Sequence, residues 1–234
     1  MPIASPVATV VQQSAFQGGV LPMLAGLAAD PQTRTWFVNS LAVSAATVLL
    51  AVGIGAPAGY VIARGRSRAV DGFALIVFAM QALPAVILLV PLFVLLAVAH
   101  LVDSLPALTL VYAGSTVAIA TWTMSSAIES VPVSLEEAAW LDGCSVLTGF
   151  VRVVLPNALG GVLGTAVLAF LFAWNEYLVA VVLLTSTSNW TVGLGVISGR
   201  SAALGVVAML PPLLVFAVLH RFFRFGGVAG AVVR

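Results

Sequence analysis

Charge is scarce in this sequence: Asp, Glu, Lys and Arg make up 7% of the 234 residues, where soluble domains carry about a quarter. That scarcity, with 62% hydrophobic residues, excludes an ordinary soluble domain. Cysteine is nearly absent. The lone Cys144 rules out an internal disulfide framework and a cysteine-based metal cluster, and His100 and His220 stand too far apart for ligand spacing. No run of alternating polarity of the kind a membrane β-barrel requires is present, and no GxxxxGK[ST] phosphate loop is present either. The spans contain no serine–histidine pair, metal-ligand set or paired carboxylates, which disfavours an intramembrane enzyme. The balance of charges, net +1, does not point to nucleic acid as a partner.

What remains is a succession of long apolar runs. A helix needs about 20 residues to cross a bilayer core, because each residue advances it by about 1.5 Å and every backbone polar group must be satisfied within the segment. Runs of that length, bounded by charged or turn residues, fall at about 36–63, 72–99, 105–127, 158–184 and 203–222. The expected fold is therefore all-α, a polytopic transmembrane bundle of about five spans. A sixth would be added if the mildly apolar stretch 7–29 inserts. Residues 1–35 read as an external segment and 36–234 as one transmembrane domain, interrupted by a structured loop at about 128–157. No basic residue precedes the apolar part of the first segment, so it does not have the form of a secretory leader.

Arginine positions give an orientation. Arg64, Arg66 and Arg68, then Arg152, then Arg221, Arg224 and Arg234 all fall on one side of these spans, leaving Arg34 and Arg200 on the other. The positive-inside rule assigns the first side, and with it the C-terminus, to the cytoplasm. Within the second span Gln81, Pro84 and Pro91 predict a kink, which is either a transport device or a packing feature. Trp36, Tyr112, Trp174, Tyr177 and Trp190 lie toward the other side, where an interfacial aromatic belt is the expectation.

The internal loop holds four of the eight acidic residues and reads EEAAWLDG at 136–143 and VVLP at 153–156. Ser134 and Glu137 have the spacing of a capping box, which predicts a helix starting at Leu135. Gly143 is placed to end that helix after about two turns, before a second helix runs toward Pro156. So short a helix needs a packing partner, and Leu135, Trp140 and Leu141 offer apolar area while Glu136, Glu137 and Asp142 offer charge. Glu137 acts either as a cap alone or also as a contact to that partner. Glu176, beside Asn175 in the fourth span, is either part of a polar path or a group near the outer interface that pairs with another helix.

This loop resembles the EAA loop of the permeases of ABC importers. On that resemblance Glu137, Ala138 and Ala139 are the EAA residues, followed by Asp142 and Gly143, with Leu155 and Pro156 closing the motif. Further segments are similar to the carbohydrate branch, in particular the smaller permease of maltose-type transporters. They are WFVNSL at 36–41, LVDSLPALTLVY at 101–112, FAWNEYL at 172–178 and AGAVVR at 229–234, with Gln81, Pro84 and Pro91. The resemblance implies a transport subunit without catalytic residues, which binds no cofactor itself. It also implies a second permease subunit, two cytoplasmic ATPase subunits that bind ATP and Mg, and an extracellular or periplasmic substrate-binding protein. The loop would dock in a cleft of the ATPase as a coupling helix, with Glu136 beside the motif, and Gln81, Asn175 and Glu176 would belong to the translocation path. Members of this family usually start with one further helix, and residues 12–41 resemble the stretch that follows it, so that first helix is expected to be missing here. An ion-coupled secondary transporter using Glu176 is the alternative, but such proteins need no docking loop and often carry an internal repeat, which is not seen.

Overall fold

The computed structural model describes residues 26, 29–81, 85–199 and 202–223. Among them the regular elements are all helical, with no strand. In chain order they are α1 (Pro31–Arg64), α2 (Arg68–Gln81), α3 (Ala85–Val98), α4 (Leu105–Glu129) and α5 (Val133–Leu141). They continue as α6 (Val146–Asn157), α7 (Leu159–Asn175), α8 (Leu178–Leu183), α9 (Val192–Ile197), α10 (Ala202–Ala208) and α11 (Leu210–Phe223).

Two helices, α1 and α4, are each long and apolar enough to cross a membrane, and α6 with α7 forms a third candidate bent by 80°. The start of α1 follows from its first residues. Asp30 accepts hydrogen bonds from the amides of Gln32 and Thr33, each at 3.2 Å, and Pro31 needs no partner for its nitrogen at that position. The helix therefore begins five residues before the expected 36. Most of the segment expected over 1–35, including the stretch 7–29 apart from residues 26 and 29, lies outside the described residues.

The bundle is organised around α1 and α4, which lie against one another along a stripe of small residues. A Cβ added to Gly59 would sit 2.7 Å from the Ser125 nitrogen, and one added to Gly55 would sit 2.9 Å from Cβ of Ala120. In a membrane, where apolar burial between helices gains little over lipid, such close backbone approach is what holds helices together. The threonines of α4 turn back onto their own helix. Thr116 and Thr121 donate to the carbonyls of Tyr112 and Val117, and Thr123 bonds across to Thr165 of α7 at 2.8 Å.

Two of the expected spans are interrupted. Of the second, α2 and α3 are described and residues 82–84, with Pro84, lie outside the described residues, while Pro91 sits inside α3 without ending it. The fourth breaks at Glu176, whose backbone is extended, and resumes as α8. The fifth breaks at Met209, because Pro211 and Pro212 cannot donate to carbonyls one turn earlier. The carbonyl of Ala208 that Pro212 leaves open accepts the indole N–H of Trp174 at 2.9 Å.

That contact also corrects the expected aromatic belt. Trp36, Tyr112 and Trp174 are buried inside the bundle, while Tyr177 is exposed. Each of the three directs its polar atom at a backbone carbonyl where regular structure is interrupted: Trp36 at Thr187, Tyr112 at Glu176 and Trp174 at Ala208. Breaks at membrane depth need such donors, which lipid cannot supply.

Candidate functional site

The segment 130–157 packs under the end of the bundle that carries Arg64, Arg66, Arg68 and Arg152. Its first helix, α5, has Pro132 as its N-cap and no side-chain cap. The capping box expected from Ser134 and Glu137 is thus not formed. Proline at this position already has helical φ, −58°, so the helix starts two residues early and Ser134 falls inside its first turn. At the other end Gly143 is left-handed, φ +86°, as expected. Its amide donates to Trp140 and the amide of Cys144 reaches back to Ala139 at 2.9 Å, so the chain reverses within two residues. Asp142 is the C-cap and is exposed.

The two adjacent glutamates face opposite ways. Glu136 is 1% exposed and Oε1 lies 2.6 Å from Nε of Arg64, the last residue of α1. The hydroxyl of Tyr60, one turn earlier, donates to Oε2 at 2.8 Å. A second Arg64 nitrogen donates to the carbonyl of Val131 at 2.7 Å, tying down the turn that leads into α5. The Tyr60 ring packs on Phe150 of α6 with centroids 4.9 Å apart, inside a core that includes Ile128, Val131 and Val154. Ala139, one turn from Glu136, is buried on the same face. The other face is open: Glu137 and Ala138 are exposed, Leu141 is 89% exposed, and Leu147 of α6 is exposed as well.

From Phe150 to Val154 α6 widens to a π-helix, with the Leu155 amide bonded five residues back to Phe150. Pro156 follows in the next turn, and the chain bends by 80° into α7. Leu155 packs against the core shared with Met124 and Ile128, while Pro156 is exposed. The motif residues therefore separate into an anchored set, Glu136, Ala139 and Leu155, and an outward set, Glu137, Ala138, Asp142 and Pro156. The Arg64 anchor is absent from the sequence-based reading, which grouped Glu136 with Glu137. Its signal was the spacing of Glu136 and Ala139, which puts both on one side of α5.

Of the residues expected on a translocation path, Asn175 and Glu176 line one open recess of about 300 Å³, together with Phe172 and Tyr177. The Glu176 carboxylate accepts from the amides of Leu178 and Val179, at 2.9 Å and 3.1 Å, so it caps α8 across the break in the span. The Asn175 side chain donates to the carbonyl of Leu171. Gln81 is exposed at the end of α2 and does not line this recess. Among the described residues no three His, Cys, Asp or Glu side chains gather as a possible metal site.

Comparison with known proteins identifies the family and the fold. The inner membrane permease YcjP of Escherichia coli, an ABC transporter protein, is 31% identical over 84% of this chain and 74% of its own. SugB of Mycobacterium tuberculosis, the permease of a trehalose transport system, is 30% identical over 84% of this chain and 76% of its own. In fold, the chain matches a subunit of a bacterial ABC transporter involved in import of the acidic polysaccharide alginate. That match has a TM-score of 0.70 at 20% identity, covering 85% of this chain and 78% of the other. Residues 55–225 match the family model described as the inner membrane component of binding-protein-dependent transport systems, and the chain belongs to that family, as an ABC importer permease.

Proposed function

We propose that this permease couples to separate cytoplasmic ATPase subunits through α5, and that it carries a sugar or related polar solute. The observation that carries the coupling reading is the division of α5 into two faces. One is fixed to the bundle through Glu136, and the other leaves Glu137, Ala138 and Leu141 open. A helix of 9 residues is not stable alone, so the bundle supplies one side of its packing and an ATPase cleft would cover the other. ATP and Mg would bind to those ATPase subunits and not to this chain. The remaining partners in this reading are a second permease subunit, which completes the translocation path, and an external substrate-binding protein. The arginine-bearing end would then face the cytoplasm together with the C-terminus.

Sugar as the substrate class is supported by the trehalose system of SugB and by a 28% identical relative from Streptomyces coelicolor, the diacetylchitobiose permease DasC. Asn175 and Glu176, at the break between α7 and α8, would face the path, with Gln81 contributing from α2. Purification of the chain with its co-expressed ATPase, comparing the native sequence with Glu137→Lys and Gly143→Pro, tests the coupling reading. Loss of the ATPase from both variants, at unchanged membrane amounts, is the expected result. Retention of the ATPase by both would reject docking through α5.

A further inference from the structure

The contacts of Glu136 have a consequence for how force would pass through α5. Of the side chains on this helix, Glu136 makes its ion pair and hydrogen bonds to α1: Arg64 at 2.6 Å and Tyr60 at 2.8 Å. Arg64 is the last residue of α1, and it also grips the carbonyl of Val131 in the connection between α4 and α5. Tyr60 carries the same network onto α6 through its ring contact with Phe150. One arginine and one tyrosine therefore join the ends of α1 and α4 to the start of α5 and the middle of α6.

The environment of this junction makes it stiff. Glu136 is 1% exposed and the Arg64 side chain 16%, so water competes poorly for either group. A carboxylate held this way cannot leave its partners without being stranded at the foot of a largely apolar core. Immediately above it, Gly59 brings α1 so near to Ser125 of α4 that no side chain fits between them. In contrast, the other connection of α5 to the bundle runs through Gly143, with nothing within 4 Å of its Cβ position, and through the π-helix and 80° bend before α7. Stiffness on one side and bends on the other set a direction for motion.

We propose that Glu136 is a positioning residue: through Arg64 and Tyr60 it fixes α5 to the end of α1, so that α1 and α5 move as one body while the α6–α7 bend takes up the change. This deepens the coupling reading above and rests on it for the source of the movement. It assigns different work to the two neighbouring glutamates, Glu136 holding the chain's own helix and Glu137 meeting the partner.

A distance measurement tests this directly. In a Cys144→Ser background, spin labels placed at Val61→Cys and Ser134→Cys, both exposed positions, report the separation of α1 and α5 in the full transporter purified with its partners. The expected result is one narrow distance that is the same without nucleotide and after trapping with Mg-ATP and vanadate. Glu136→Gln should lose that single distance in both conditions. A distance that shifts on trapping in the native sequence, or one that stays narrow in Glu136→Gln, overturns the proposal. The single variant Tyr60→Phe, which keeps the ring on Phe150, gives a second reading: it should broaden the distance without loss of assembly, and an unchanged distance counts against the network. Co-purification of the ATPase separates this from the coupling reading. If the native chain fails to hold the ATPase, coupling through α5 is wrong, whereas the nucleotide-free comparison of native and Glu136→Gln still decides whether Glu136 fixes the helix.

Discussion

Glu136 and Glu137 are adjacent in sequence and lie on opposite sides of α5, the first sealed against Arg64 and the second open at the surface. A helix turns each residue by about 100° relative to the last, which is enough to separate two identical side chains into different surroundings. Their substitutions should therefore separate in kind. Arg64→Ala leaves a buried carboxylate unpaired and should destabilise the protein by about 3–5 kcal/mol, whereas Tyr60→Phe, losing one hydrogen bond to a charged group, should cost about 1.5–3 kcal/mol. Glu137→Gln, at an exposed position, should leave the stability within about 0.5 kcal/mol of native. Thermal unfolding in detergent orders the three.

The α1–α4 contact predicts a difference between two glycines on one helix. Gly59→Ala forces a methyl group toward the Ser125 nitrogen and the Thr121 carbonyl, at 2.7 and 2.8 Å, neither of which can move aside without the helix. Overpacking of this kind costs about 1–3 kcal/mol. Gly53→Ala meets nothing within 4 Å and should be neutral or stabilising by up to about 1 kcal/mol, as expected for replacing glycine within a helix. The same unfolding measurement compares them.

At the opposite end, Asp103 accepts from the amides of Thr185 and Ser186, at 2.9 and 3.0 Å, and its carbonyl accepts the side chain of Asn189. Burial works to raise its pKa, but the hydrogen bonds from Ser186, Thr185 and Asn189 outweigh this and hold the carboxyl below its ordinary 3.8. The sign follows: the clamp is at full strength above the ordinary value and is lost as pH falls through the lower native one. Amide exchange at Thr185 and Ser186, corrected for intrinsic rate, should speed up only in that acid range. In Asp103→Asn it should be faster at neutral pH and show no such step.

Gly143 supplies the reversal after α5 with φ +86°, a conformation that costs an L-residue about 1–2 kcal/mol. Because nothing lies within 4 Å of its Cβ position, Gly143→Ala is a test of backbone conformation alone. The expected outcome is normal membrane content with weakened recovery of the ATPase, read by quantitative co-purification. Equal loss of membrane content would mean that the residue acts in folding.

Much of this was legible in the order of residues. Apolar length indicated the α1 and α4 spans, and Gly143 and Pro156 marked the ends of the loop helices, because composition and turn chemistry act locally. What escaped were contacts between distant residues and backbone breaks. Pro132 replaced the capping box of Ser134 and Glu137 because a fixed φ does not need a side chain to start the helix. The break at Glu176 looked like a continuous span, since leucine, valine and alanine recur on both sides and Tyr112, which satisfies the open carbonyl, is 64 residues away. Likewise, the tryptophans read as interfacial by position, yet Trp36 and Trp174 are held inside by carbonyls at Thr187 and Ala208 that no spacing rule connects to them.

The stretch 185–192 is gripped almost entirely by its main chain. Trp36 and Asn39 donate to the carbonyls of Thr187, Ser188 and Trp190, Ser40 accepts from the amide of Val192, and Asp103 accepts from those of Thr185 and Ser186. From the stretch itself the Asn189 side chain donates to the Asp103 carbonyl, and the Ser186 side chain also hydrogen-bonds Asp103. Its shape is therefore written largely in α1 and in Asp103, and the exposed side chains of Thr185, Thr187 and Ser188 are left free to drift. A surface whose outline is fixed while its chemistry can be rewritten is one on which substitutions accumulate at little cost to the fold, and on which variation among relatives would report selection and not structural necessity.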